Sequence, residues 1–260
     1  MMHKPALNLF TTTLWEYPSQ DYGRERHGDK DYIGATPAWV IWQLLQRYTR
    51  EGDTVLDPMC GSGTTIDVAN ELKRKPAGFD LSPSRPDIKQ ADARHLPLES
   101  GTVDFAFIDP PYSTHVDYSD DPRCIGKLDA SPDVKGGDPA AAKPGKGKGG
   151  GGGGSGVLEN PYYAAMAQVI AELHRVMKNR RYMGLYVSDS FKKGKPFMPI
   201  GFELFSMLRQ HFKPIDIIAV VRHNRTLKRN HWHTAAVEGN YFLRGFNYLF
   251  IMKKEDDPRG

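Results

Sequence analysis

The sequence predicts an α/β fold: one seven-stranded, mostly parallel sheet with helices on both faces and an antiparallel hairpin at one edge. Three observations carry that expectation. Short apolar runs end again and again on an acid, at Asp57, Asp80, Asp92 and Asp109. Segments with helical spacing of apolar residues flank these runs, as crossovers between parallel strands require. A length of 260 residues suits one such domain with insertions better than two independent cores.

Each element follows from local chemistry. Thr36 reads as a helix cap and Pro37 as a first helical residue for a helix running to Arg50. Thr54 to Asp57 is a short buried strand that enters the turn Pro58-Met59-Cys60-Gly61-Ser62-Gly63, and a helix from Thr64 to Arg74 follows. Pro76 to Asp80 is the second strand, at the distance a βαβ crossover needs, and Ile88 to Ala91 a weaker third. Val103 to Ile108 is a strong fourth strand that stops at Asp109. Asn160 to Met177 has helical spacing, Tyr182 to Val187 reads as the fifth strand, and Gly201 to His211 as another helix. Ile215 to Val221 and Phe246 to Met252 complete the set as the antiparallel hairpin. The chain thus divides into an amino-terminal arm at 1–35, a first half of the domain at 36–128, an insert at 129–156 and a second half at 157–260. The insert is rich in Gly and Lys, supplies little apolar surface and reads as a flexible loop; its lysines either touch phosphates or simply solvate a tether.

Composition narrows the function. Hydrophobic residues make up 39% and charged residues 25%, an ordinary globular balance, and no apolar run approaches the roughly 20 residues a membrane span requires. The apolar stretch within residues 1–10 is too short for a signal peptide, and two cysteines make no disulfide framework, so a cytoplasmic location is expected. A net charge of +4 permits a polyanionic partner without establishing one.

Three constellations carry chemistry. The first, Asp57-Pro58-Met59-Cys60-Gly61-Ser62-Gly63-Thr64-Thr65, joins a buried strand to a helix. Gly61 and Gly63 let backbone lie against a ligand, and the helix amino terminus offers N–H groups to a carboxylate. The same glycines would serve any tight turn between strand and helix. The second is the pair Asp80-Leu81 and Asp92-Ala93 at strand ends. Asp80 is placed to accept from ribose hydroxyls and Asp92 from an adenine amine, while helix capping is the competing role for both. The third and sharpest is Asp109-Pro110-Pro111-Tyr112. Two prolines stiffen the loop, Tyr112 offers a stacking face, and the Asp109 carboxylate with the Pro110 carbonyl would accept both hydrogens of an exocyclic amine and aim its lone pair.

In this order, cofactor loop before catalytic loop, these residues resemble the S-adenosylmethionine-dependent amino-methyltransferases of DNA, which modify adenine N6 or cytosine N4. The resemblance implies a Rossmann-like methyltransferase fold and S-adenosyl-L-methionine as cofactor. It makes Asp57 to Thr65 the cofactor motif, Asp80 the ribose acid and Asp109 to Tyr112 the catalytic motif, and it places Thr36 beside the cofactor. An aspartate at the start of the catalytic motif is similar to the adenine-N6 enzymes, and no metal is implied. Double-stranded DNA is the expected partner and RNA the alternative, with cytosine N4 as the alternative target. From another class, a non-catalytic cofactor-binding subunit fits the lack of a separate recognition domain. A homodimer, a specificity subunit and a restriction partner all stay open.

Recognition then falls to shorter segments. The favoured surface is the stretch 222–244, whose Arg222, His223, Arg225, Lys228, Arg229, Trp232 and Arg244 combine phosphate-binding charge with a stacking ring. Trp15, Tyr17, Tyr22, Arg24 and Arg26 of the arm are the second candidates.

Overall fold

The computed structural model describes residues 5–29, 31–32, 34–114, 116, 118–131, 155–191, 196–223, 227 and 229–256. Most of the Gly-rich insert, together with Arg225 and Lys228, lies outside them.

The chain runs β1 (Leu14–Trp15), α1 (Ala38–Tyr48), β2 (Thr54–Asp57), α2 (Thr64–Glu71), β3 (Lys75–Asp80), β4 (Lys89–Gln90) and β5 (Val103–Ile108). After a 3-10 turn at Ile125–Lys127 come α3 (Ser155–Leu158), α4 (Pro161–Val176), β6 (Met177–Val187), α5 (Ile200–Leu208), β7 (Lys213–Val221), α6 (Asn230–Glu238) and β8 (Phe246–Lys253). They form one sheet of eight strands in the order β1-β7-β8-β6-β5-β2-β3-β4. Only β8 runs against the others, pairing antiparallel with both β6 and β7.

Eight strands replace the seven expected. The added one is β1, where Leu14 and Trp15 pair in parallel with Ala219 and Val220 of β7. Two residues carry no readable alternation, so nothing in the sequence marks them. Their pairing covers the outer edge of the β7 and β8 hairpin, an edge that would otherwise present unpaired backbone groups. The arm is therefore anchored in the core: Trp15, Tyr17 and Tyr22 are buried and pack with Trp39, Ile41 and Leu44 of α1. That burial removes all three aromatic rings as base-stacking candidates, while Arg24 and Arg26 stay exposed.

The core lies on both faces of the sheet. Strand β5 shows why it is central: Phe105 and Phe107 point to the α1 side, and Val103, Ala106 and Ile108 to the α4 and α5 side. All are buried, and each large side chain of this kind contributes about 1.5–3 kcal/mol. Helix α4 starts as its sequence dictates, with the Asn160 side chain accepting from the Tyr162 N–H and Pro161 at the first position.

Two local expectations change. Helix α1 has Pro37, which has no side-chain acceptor, at its cap position, and the Thr36 hydroxyl donates to Asp109 instead of capping the helix. The stretch 222–244 is not all loop: α6 occupies its middle, at Asn230–Glu238. Among the described residues, no helix is long and apolar enough to cross a membrane.

Register aligns the strand ends that matter. Asp57 pairs with Gly78 of β3, and Leu56 with Ala106 of β5. Asp57, Asp80 and Asp109 therefore emerge at one carboxyl edge, where open α/β sheets bind ligands.

Candidate active site

A cavity of about 480 Å³ opens at that carboxyl edge. Its walls include every residue expected in the cofactor and catalytic motifs except Gly63 and Pro110. The loop after β2 forms its floor. Asp57 does not point freely into it: Oδ1 accepts the Met59 N–H at 3.1 Å, and Oδ2 accepts the Thr65 hydroxyl at 2.5 Å. The carboxylate thus ties the two ends of its own turn together. Gly61 and Gly63 have φ of +47° and +80°, the left-handed region that favours glycine. A Cβ on Gly61 would meet the Tyr32 hydroxyl at 2.7 Å, so the turn needs glycine for space as well as for backbone conformation.

Asp80 sits beside this turn. Its Oδ2 accepts the Gly61 N–H at 2.9 Å and its Oδ1 the Ser82 N–H at 2.9 Å. Both oxygens keep lone pairs for hydroxyl donors. Asp92 is differently placed: Arg94 donates to it from Nε at 2.9 Å and from Nη2 at 2.6 Å. Burial pushes the Asp92 carboxyl up, but the bonds from Arg94 outweigh it and hold the group below its ordinary value. Leu81 and Ala93 complete this side of the wall.

At the end of β5, Asp109 is gripped by two hydroxyls. Thr36 Oγ1 donates to Oδ2 at 2.5 Å and Tyr112 Oη to Oδ1 at 2.6 Å. Tyr112 therefore presents its hydroxyl to the carboxylate as well as a ring to the cavity. The Pro111 carbonyl accepts from Tyr162 Oη of α4 at 2.9 Å, which pins the double-proline loop to the core. Pro110 is buried, and its neighbours Asp109 and Pro111 line the wall.

Burial pushes the Asp109 carboxyl up to about 7, against the bonds from Thr36 and Tyr112 and the charge of Arg222, which lower it. Asp57 is likewise pushed up to about 7 by burial, with the negative charges of Asp109 and Asp80 adding to the effect. Burial also raises Asp80. Burial disfavours the charged form of all three carboxyls, and an opposite charge nearby would favour it. That observation makes a positively charged ligand fit this cavity.

Thr36→Val is expected to raise the Asp109 carboxyl further, since one of its two hydroxyl donors is lost. Carbon-13 NMR titration of that carboxyl measures the change, Thr36→Ser should restore the wild-type titration, and no change in Thr36→Val would show that the hydroxyl contributes nothing.

Several wall residues were not anticipated. Tyr32 and Tyr118 form a stacked pair 6.4 Å apart over the glycine turn. The arm brings Tyr32 there because the Asp29 N–H donates to the Ser62 carbonyl and the Gly28 N–H to Asp67. Ser188 to Phe191, after β6, wall the far side. A serine after a strand carries no signal by itself, and Tyr32 lies in a stretch without periodicity. Of the recognition residues, Arg222 and Arg244 line the cavity. His223 is exposed and pairs with Glu16 at 3.2 Å, and Arg229 and Trp232 lie exposed at α6.

Strand order and site together define a Rossmann-like methyltransferase fold. The solved structure of the (4+2)-cyclase SpnF is similar to it, with 15% identity over 89% of this chain and 88% of that one and a TM-score of 0.50. TrmN from Thermus thermophilus has 16% identity over 85% of this chain and 50% of that one, with a TM-score of 0.49. Residues 5–90 match the family model for N6 and N4 methyltransferases, described as DNA methylase. The type II methyltransferase M.MjaI of Methanocaldococcus jannaschii is 43% identical over 48 residues, a match that spans 18% of this chain and 16% of that relative. The likeness to DNA amino-methyltransferases thus falls on residues 5–90, which hold the first helix, the glycine turn and Asp80.

Proposed function

We propose that the protein transfers a methyl group from S-adenosyl-L-methionine to the exocyclic amine of a DNA base, adenine N6. The observation that carries this reading is the Asp109 carboxylate, fixed by two hydroxyls in the same cavity as the glycine turn and Asp80. The cofactor supplies an electrophilic methyl carbon bonded to positively charged sulfur. On the protein side, Asp80 would hold the ribose hydroxyls, the Asp57 to Thr65 turn would cradle the amino-acid end, and Asp92 would meet the adenine amine beside Arg94.

The amine of a heteroaromatic ring is a poor nucleophile because its lone pair is delocalised into the ring. Asp109 would accept one of its hydrogens, favour pyramidal nitrogen and take up the proton the methylated amine must lose. Oδ1 can do so alongside Tyr112, since a carboxylate oxygen has two lone pairs. A base stacked inside a duplex cannot enter a concave cavity, so the target would be turned out of the helix. The choice of adenine rests on the aspartate that opens the catalytic motif.

Sequencing DNA from cells that express the protein, with a method that reads modified bases, tests this reading. N6-methyladenine in a fixed context is the expected result. N4-methylcytosine would replace the target base, and unmodified DNA from cells that contain soluble protein would overturn the proposal.

A further inference from the structure

The cavity has two halves. The loops after β2, β3 and β4 build one, and the ends of β5, β6, β7 and β8 build the other. In the second half Ser188 follows β6, Arg222 follows β7 and Arg244 precedes β8. The Arg222 N–H donates to the Gly245 carbonyl at 2.9 Å, which pins the two arginine-bearing segments side by side.

Two of these groups hold buried polar atoms that have no partner among the described residues. Ser188 is 2% exposed and its hydroxyl has no hydrogen-bond partner among the described residues. The Nε of Arg244 is enclosed and equally unmatched. Ser188 and Arg244 wall both the main cavity and an adjoining one of about 140 Å³. Neither Arg222 nor Arg244 makes an ion pair among the described residues; the Arg244 guanidinium lies 5.2 Å over the Phe197 ring and donates to the Phe242 carbonyl at 2.8 Å. The neighbouring carboxylate, Asp189, is held by the Gly201 N–H at 2.9 Å and the Tyr248 hydroxyl at 3.1 Å. A buried donor without an acceptor is costly, and a ligand that supplies acceptors recovers that cost.

Two guanidinium groups at the rim and one hydroxyl at the wall match a ligand with a phosphate at one end and a ring acceptor at the other. We infer that this half of the cavity seats the acceptor nucleotide as a unit, with Ser188 donating to the base ring and Arg222 and Arg244 gripping the phosphate of the same nucleotide. The inference rests on the methyltransferase reading of the cavity and adds the groups that recognise the substrate. Phe242, 85% exposed, and Phe246, 43% exposed, lie on the same rim and offer stacking faces to neighbouring unpaired bases.

The test measures binding of a DNA duplex carrying the modified context, with sinefungin in the cofactor site, across a series of salt concentrations. Wild type is compared with Arg222→Gln, Arg244→Gln, Ser188→Ala and, as a control at the opposite end of the sheet, Arg50→Gln. Each cavity arginine variant should lower the slope of log affinity against log salt by about one and weaken binding at low salt. Ser188→Ala should leave the slope unchanged and reduce kcat/KM for methyl transfer about tenfold. Arg50→Gln should match wild type, and sinefungin binding should be equal in all of them. If wild type methylates DNA while the arginine variants keep its slope and affinity, the nucleotide seat is wrong and the methyltransferase reading stands. If wild type neither binds nor methylates DNA, both fall together.

Discussion

Asp109→Ala is expected to reduce methyl transfer to DNA about a thousandfold while cofactor affinity changes little. The carboxylate lines the cavity at the end of β5, held in place by Thr36 and Tyr112, while the Pro111 carbonyl is taken by Tyr162. Removing it leaves the amine lone pair delocalised and the departing proton without an acceptor. Asp109→Asn should fail almost as badly, since its amide NH2 would face the hydroxyl of Thr36 or Tyr112 in place of an oxygen. Single-turnover transfer of labelled methyl, read beside sinefungin calorimetry, separates loss of chemistry from loss of cofactor. Undiminished transfer by Asp109→Ala would remove this residue from the reaction.

Asp80→Ala is expected to weaken cofactor binding by about 30-fold to 100-fold, the equivalent of about 2–3 kcal/mol for hydrogen bonds to a charged acceptor. Two effects add. The ribose hydroxyls would lose their acceptor, and the Gly61 N–H, now bonded to Asp80, would lose the partner that orients the glycine turn. Asp80→Asn keeps one oxygen and should fall between the two. Calorimetry with sinefungin measures the change, and an affinity equal to wild type would withdraw the ribose role.

The sheet was legible because its central strands are short, apolar and closed by acids. Strand β5 is buried on both faces and reads as one continuous run, as a strand covered by helices must. Strand β1 was not legible, because two residues show no alternation and are strands only through their pairing with β7. That the glycine turn and the acid-proline corner would meet at one sheet edge was legible for a related reason. A glycine turn after a strand, and an acid before two prolines, each have few alternative uses. The other half of the cavity was not, since Ser188 and Tyr32 acquire their place only from the packing of β6 and of the arm. Thr36 was placed near the cofactor as a helix cap, yet its hydroxyl reaches 73 residues along the chain to Asp109, a contact that no local pattern encodes. The arm misled in the opposite direction. Trp15, Tyr17 and Tyr22 have the composition of a stacking surface, but large rings next to a forming sheet gain more from burial than from exposure.

The most direct test is the position of the transferred group. Purified protein is incubated with DNA and cofactor carrying a deuterated methyl, and the digested nucleosides are analysed by mass spectrometry. The account predicts label on the exocyclic amine of adenine, lost in Asp109→Ala. Label on a ring carbon or on ribose, or none in DNA despite bound cofactor, would contradict it.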